Sequence, residues 1–187
     1  MKRGIVLIIS ILLLIVFAIT AFYIIPQTKK QFYPREYSKY VEQYSKEYNV
    51  PEPLIYAVIL TESSFDANAK SSVGAIGLMQ IMPETFEWLS RHIDKPEISE
   101  KISNPEINIK YGTFYLSYLY ERFENWETVI AAYNAGHGRV SGWLKDTRYS
   151  ADGKTLKNIP LDETKNYVNK VVEAYNEYQK IYYNGDN

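Results

Sequence analysis

Glu62 is the residue whose position in the sequence most favours acid–base chemistry. It ends an apolar run in which Ile55, Val58 and Ile59 precede it by seven, four and three residues, so its carboxyl continues the stripe that a helix would bury. Burial raises the pKa of a carboxyl, and the negative end of the helix dipole acts in the same direction. The position predicts a carboxyl that stays protonated near neutral pH, as a general acid must be. The alternative is a helix-end glutamate that points into solvent.

Three further stretches combine small, polar and aromatic residues in ways that packing alone does not require. The first contains two glycines, which let a backbone approach a ligand closely, and Gln80, which can both donate and accept hydrogen bonds. In the second, Tyr133 lies among small residues and brings a hydroxyl within reach of a partner acid. The ordinary alternatives are a glycine-bearing turn, a buried tyrosine with one hydrogen bond and a helix cap. The stretches are residues 74–83, 131–136 and 159–167.

The elements that must position these residues are predicted to be helices almost throughout. Apolar side chains recur at helical intervals, and no stretch alternates with period two for long enough to predict a strand. Asn104 before Pro105 marks a helix start, and Gly136 is expected to end a helix in the left-handed conformation. The predicted fold class is therefore all-α (mainly α). The predicted helices cover residues 37–49, 51–62, 83–93, 105–123, 127–135 and 160–175.

Length and composition limit the classes of function. The chain has 187 residues, of which 46% are hydrophobic, enough for one core but not for two domains. The net charge of −1 gives no electrostatic footprint for nucleic acid, and the absence of cysteine excludes disulfides and thiol catalysis. His92 and His137 are isolated and belong to no metal-binding pattern, so neither a metal nor a cofactor is expected.

The N-terminal segment predicts attachment to a membrane. After Lys2 and Arg3, residues 5–25 carry no charge. At a helical rise of about 1.5 Å per residue they would span about 30 Å, the thickness of a bilayer core. A cleavable signal peptide has a shorter apolar region and a small-residue cleavage site, which this segment lacks. We therefore expect one uncleaved transmembrane helix ahead of the helical domain.

Together, the four stretches resemble one family, the soluble-lytic-transglycosylase-type (SLT domain) peptidoglycan lytic transglycosylases. This resemblance implies a goose-lysozyme-like fold and covers approximately residues 38–180. Taken with the apolar N-terminal segment, the predicted organisation of the chain is a short cytoplasmic N-terminus at 1–4, a transmembrane signal anchor at 5–25, a stalk at 26–35, a catalytic domain at 36–183 and a flexible tail at 184–187. The motifs that carry the resemblance are Glu62–Phe65, Gly77–Pro83, Ala132–Gly136 and, within Ile159–Tyr167, an Ile-Pro pair, a Glu-Thr pair and the final tyrosine.

The resemblance implies a catalytic centre around one carboxyl. Glu62 matches the single catalytic acid and base of the family. Tyr133 matches the tyrosine that binds the catalytic carboxyl through a hydrogen bond, and Asn134 lies beside it in the motif. Ser63 and Ser71 match positions whose side chains form hydrogen bonds near the catalytic acid or the substrate.

The resemblance also implies a sugar-binding groove. Gln80 and Met82 match residues that line the sugar subsites. Glu163 matches an acid that contacts substrate, and Tyr167 matches a residue of the groove wall. At residues 161–162 the chain departs from many family members, which have an aromatic or small residue there.

The resemblance predicts an enzyme that cleaves peptidoglycan between N-acetylmuramic acid and N-acetylglucosamine without water, leaving 1,6-anhydromuramic acid ends. Its partners would be glycan strands and the cytoplasmic membrane, with the domain on the extracytoplasmic side. One alternative is a hydrolytic goose-type lysozyme, which needs a second carboxylate; Asp66 is the nearest to Glu62 in sequence. Another is a catalytically idle, membrane-tethered scaffold that binds the cell wall.

Overall fold

The chain is helical in the regions that its computed structural model describes, residues 2–20 and 25–183. A short 3₁₀ turn covers Ser99–Lys101, and a π-helical turn, Gln179–Tyr183, follows the last α-helix. The α-helices in these regions are α1 (Lys2–Ile19), α2 (Ile25–Phe32), α3 (Ser38–Tyr48), α4 (Glu52–Ser63), α5 (Pro83–Ser90), α6 (Pro105–Phe123), α7 (Trp126–Ala135), α8 (His137–Leu144) and α9 (Asp162–Tyr178).

The predicted all-α class is confirmed. In residues 2–20 and 25–183, β structure is limited to isolated bridges that pair Ile76 with Lys70 and with Ile81. These bridges lie in the connection between α4 and α5 and create no strand.

Helix α4 forms the centre of the core, as its apolar sequence predicts. Residues 53–59 are all buried. Helix α9 packs along α4 in the opposite direction, because Tyr178 near its end stacks on Tyr56 with ring centroids 5.3 Å apart, while Tyr167 in its first half reaches Glu62. This antiparallel pair brings the end of α4 beside the beginning of α9.

The predicted helix bounds lie within three residues of the observed ones, but the conformation predicted for Gly136 is wrong. Asn104 caps α6, where its side-chain oxygen accepts the N–H of Ile107 at 3.2 Å. Gly136 has a φ of 87°, as a glycine cap requires, but its ψ of 136° is extended rather than left-handed helical. The chain therefore passes directly from α7 into α8, which the sequence did not predict because its two glycines weaken the helical signal.

The segment predicted as a stalk is folded against the domain. Residues 25–32 form α2, and the residues after it contact the C-terminal helix. Lys29 forms an ion pair with Glu177 at 2.7 Å, and the hydroxyl of Tyr178 donates to the Pro34 carbonyl at 2.7 Å.

Arg35 forms the second part of this contact. Its guanidinium lies 5.3–5.5 Å from the ring centroids of Tyr56, Tyr182 and Tyr183, and 3.5 Å from the Glu52 carboxylate. Cation–π contacts and a partly buried ion pair thus connect the stalk segment to both α4 and the C-terminal turn.

The predicted transmembrane helix is not confirmed. No helix among the described residues is long and apolar enough to cross a membrane. Of the predicted segment 5–25, residues 21–24 lie outside the described regions, and so does the predicted tail, 184–187.

Candidate active site

Glu62 lies in the last turn of α4, where the chain reverses sharply. Ser64 adopts a left-handed conformation (φ 51°), and its N–H donates to the Leu60 carbonyl at 3.1 Å. Phe65 is also left-handed (φ 68°) and is buried, which anchors the start of the following loop. Two consecutive non-glycine residues at positive φ are uncommon, so the turn that presents Glu62 is fixed by the surrounding packing.

The carboxyl of Glu62 is half-buried and bound by a single tyrosine. The hydroxyl of Tyr167 on α9 donates to Oε1 at 2.7 Å. Burial raises the pKa of Glu62 to about 7, although the hydrogen bond from Tyr167 acts in the opposite direction by stabilising the ionised form. The direction of this shift is the one expected for a carboxyl on an apolar stripe.

Tyr133 lies near the same carboxyl but binds a different group. Its hydroxyl donates to the Met79 carbonyl at 2.9 Å, so its one proton is not available to Glu62. The prediction that Tyr133 donates a hydrogen bond to the Glu62 carboxyl is wrong, because the donor is Tyr167. Burial, and then the charge of Glu62, raise the pKa of both tyrosines well above the ordinary value, so both hydroxyls stay protonated.

The loop between α4 and α5 is attached to the helices around Glu62 by buried and partly buried hydrogen bonds. Ser63 Oγ donates to the Leu78 carbonyl at 2.8 Å. The fully buried Asn108 of α6 accepts the N–H of Met79 at 2.7 Å and donates to the carbonyls of Ile76 and Ile102 at 3.0 and 2.7 Å. An amide that satisfies both its donor and acceptor groups in this way stabilises one loop conformation.

Asn108 was not predicted as a functional residue, but the sequence contains a signal for it. It precedes Gly112 by four residues and Leu116 by eight, so it lies on the buried face of α6. A polar amide on such a face must find buried partners, and here the partners are backbone groups of the loop.

Close packing explains Gly77 and Gly112 better than close approach to a ligand. Gly77 has a φ of 81°, and a Cβ there would lie 2.5 Å from Nδ2 of Asn108. A Cβ on Gly112 would overlap the side chain of Met79. By contrast, Gly74 has open space around it and owes its identity to its φ of 93°.

Three of the predicted polar residues are partly occupied in holding the loop. The oxygen of Ser71 accepts the N–H of Ala75 at 3.0 Å. Gln80 donates through Nε2 to the carbonyls of Ala69 and Gly77 at 3.2 and 2.9 Å, which leaves its side-chain oxygen without a partner among the described residues. Ser63 is engaged with Leu78 as described above. We therefore expect these residues to shape the site, with the Gln80 oxygen free to accept a hydrogen bond.

A cleft of about 560 Å³ lies between the loop and helices α5, α6, α7 and α8. Its lining includes four of the predicted residues and several that were not predicted, among them Tyr115 and Arg139. The lining residues are Gln80, Ile81, Met82, Glu84, Thr85, Tyr115, Tyr133, Asn134, Ala135, Gly136 and Arg139.

The remaining predicted residues lie on α9 or face it. Asn134 is exposed, and its side-chain oxygen accepts the hydroxyl of the buried Thr164 at 2.8 Å, which leaves its NH₂ group without a partner among the described residues. Glu163 is exposed in the first turn of α9 and does not line the cleft. Tyr167 is buried, donates a hydrogen bond to Glu62 and is not among the residues that line this cleft.

The site contains no arrangement that resembles a metal centre. Across residues 2–20 and 25–183, no three histidine or acidic side chains are grouped so that they could hold a metal ion.

Known proteins share both the sequence and the structure of this domain. Residues 39–157 match the transglycosylase SLT domain family. The soluble lytic murein transglycosylase of Escherichia coli is 37% identical over 82% of this chain and 24% of that protein. Membrane-bound lytic murein transglycosylase C of Haemophilus ducreyi is 30% identical over 79% of this chain and 46% of that protein.

A solved structure gives the same result. The lytic transglycosylase Slt of Pseudomonas aeruginosa, solved as an inactive mutant with glutamine in place of one glutamate, matches 80% of this chain and 25% of that protein with a TM-score of 0.68 and 35% identity. The chain thus spans about a quarter to a half of the length of these relatives. Since the family match covers more than half of the chain, and the motifs around Glu62 predicted it, this protein belongs to the transglycosylase SLT domain family.

Proposed function

We propose that this protein is a peptidoglycan lytic transglycosylase in which Glu62 acts first as acid and then as base. The observation that carries the proposal is one half-buried carboxyl, bound by Tyr167, whose pKa burial raises to about 7. Glu62 is not among the residues that line the cleft, but Tyr133, which lines it, lies close enough to feel the charge of Glu62. The names of the relatives support the activity, and so does the inactivity of a relative in which one glutamate is replaced by glutamine.

In the first step, the protonated carboxyl of Glu62 donates its proton to the glycosidic oxygen while the bond from that oxygen to C1 of N-acetylmuramic acid breaks. The positive charge that develops at C1 is shared with the ring oxygen and the 2-acetamido group of the substrate. Tyr167, already bound to Oε1, stabilises the carboxylate that this step creates.

In the second step, the carboxylate removes the proton of the C6 hydroxyl of the same sugar, and the C6 oxygen bonds to C1. The product is a 1,6-anhydro ring, and Glu62 returns to its protonated form with no water consumed. A pKa near the working pH suits a group that must both donate and accept a proton.

The surroundings of Asp66 favour this reaction over hydrolysis. A hydrolase needs two carboxyls flanking the bond, about 5–5.5 Å apart in retaining enzymes and about 6.5–9.5 Å apart in inverting ones. Asp66 is exposed, and its carboxylate accepts the N–H of Asn68 at 2.8 Å within its own turn. It therefore acts as a turn residue, and the single-carboxylate route requires no second acid.

The reaction predicts a specific product. Purified peptidoglycan digested with the protein should yield muropeptides one water molecule lighter than hydrolytic products, and borohydride should leave their ends unreduced. Mass spectrometry before and after reduction measures both properties. Reducible ends would identify a lysozyme, whereas the absence of any product would favour the idle scaffold.

We further propose that residues 5–25 attach the protein to the cytoplasmic membrane, with the domain on the extracytoplasmic side, where peptidoglycan lies. Apolar side chains of α1 are exposed, including Leu7, Leu14 and Phe17 at 65, 67 and 72%. A relative named as membrane-bound supports the proposal.

Membrane attachment predicts that the protein sediments with membranes, stays in the membrane fraction after a wash with alkaline carbonate and is extracted only by detergent. The domain should be digested by protease added to spheroplasts, with a cytoplasmic protein as the intact control. Recovery in the soluble fraction, or protection from protease, would contradict the proposal.

A further inference from the structure

Helix α8 places one cation on the wall of the cleft. Arg139 lines the cleft near Asn134 and Tyr133, and its side chain is exposed. Among the described residues it forms no ion pair and no hydrogen bond. Its guanidinium is therefore fully available to a ligand.

Other arginines of the domain are committed to internal partners. Arg35 binds Glu52 and three aromatic rings, Arg122 donates to Ser141 at 3.2 Å, and Arg148 binds Asp146 at 2.6 Å. Arg91 is also exposed and unpaired within the described part of the chain, but it does not line the cleft. The uncommitted guanidinium in the cleft is that of Arg139.

The chemistry of a guanidinium indicates the group that it would bind. Its planar donors match the two oxygens of a carboxylate, and such pairs are the stronger hydrogen bonds in proteins. In intact peptidoglycan the glycan backbone is uncharged, because the lactyl group of muramic acid is amide-linked to the stem peptide. The carboxylates that remain belong to the stem peptide.

We propose that Arg139 determines specificity by binding a carboxylate of the stem peptide attached to the glycan in the cleft. The inference rests on the proposed function, since it names a feature of that substrate. Glu84 also lines the cleft but forms no ion pair with Arg139, so the guanidinium is not neutralised by it. Arg139 thereby favours glycan that carries peptide over bare glycan.

The proposal predicts that Arg139→Gln raises KM on intact peptidoglycan about tenfold with little change in kcat, because one charge-assisted contact to the ground state and transition state alike is lost. Arg139→Lys should give an intermediate KM, since it keeps the charge and loses the two-point geometry. Arg91→Gln, the matched control, should behave as wild type. The initial rate of anhydromuropeptide release, measured against substrate concentration, gives KM and kcat for wild type and the three variants.

Modified substrates separate this role from a structural one. When carbodiimide and ammonia convert the carboxylates to amides, wild-type KM should rise to that of Arg139→Gln, and the variant should not change. On glycan stripped of peptide by an amidase, which leaves a lactyl carboxylate, wild type and variant should have equal KM.

Two results would overturn the proposal. An equal loss for Arg139→Gln on native and amidated peptidoglycan would make its role structural. A difference that persists on stripped glycan would assign the lactyl carboxylate as the ligand. If wild type formed no 1,6-anhydromuramic acid ends on any substrate, the proposed function itself would be wrong.

Discussion

Replacement of Glu62 by glutamine is expected to lower kcat/KM for anhydromuropeptide release by about 10³-fold or more, because both proton transfers use this carboxyl and an amide can perform neither. Asp66→Asn is the matched control: it removes the nearest carboxylate in sequence but keeps an oxygen that can accept the Asn68 N–H. It should retain activity. Loss of activity in Asp66→Asn, with survival in Glu62→Gln, would reverse the assignment of the acid.

The same variant tests the raised pKa independently of catalysis. Burial raises the pKa of Glu62 from 4.5, the value expected in the unfolded chain, to about 7 in the folded protein. The protonated carboxyl therefore favours the folded state fully below about pH 4.5, and this stabilisation is lost as the pH rises through 7. Wild type should therefore lose about 3 kcal/mol relative to Glu62→Gln between about pH 4 and pH 8. Denaturant unfolding at both pH values measures the difference. A constant difference would show that burial does not perturb this carboxyl.

Tyr167→Phe should have the second-largest effect, with two separable parts. Loss of a hydrogen bond to the carboxylate formed in the first step should lower kcat by about 10–100-fold. Because that bond also lowers the pKa of Glu62, its loss should raise the pKa. The alkaline limb of the pH–rate profile, where the acid becomes deprotonated, should then move to higher pH. Rates measured across neutral pH give both quantities.

Tyr133→Phe is the comparison, because this tyrosine binds the Met79 carbonyl instead of the acid. It should destabilise the domain by about 1 kcal/mol and leave the alkaline limb where it is. If Tyr133→Phe moved the limb and Tyr167→Phe did not, the hydrogen bond at Glu62 would belong to Tyr133 after all.

Sequence periodicity predicted the elements of the site better than the pairings within it. Glu62 at the end of a buried helix and the capped start of α6 follow from local signals that need no tertiary information. Two tyrosines with suitable hydroxyls were visible, but which one reaches the acid depends on how α7 and α9 pack. Tyr133 donates to Met79 and Tyr167 donates to Glu62 because of distances that are set only in the folded structure.

Other features could not be predicted for a similar reason. Helix α8 has weak helical propensity, so Arg139 had no predicted element to place it on the cleft. Asn108 gave a recognisable signal, a polar residue on a buried face, but the loop groups that it binds, on Met79 and Ile76, lie 29 and 32 positions earlier in the chain.

The contacts of Lys29 and Arg35 also define where the cooperative folding unit begins. The family match starts at residue 39, yet an ion pair to Glu177 and a cation held among Tyr56, Tyr182 and Tyr183 join residues 29–35 to both α4 and the end of α9. A protein trimmed to the family boundary would expose these rings and leave Glu52 without its arginine. The ten residues that precede the family match therefore contribute to the stability of the folded domain. A protease that releases the domain is expected to yield a stable fragment only when it cuts before Lys29.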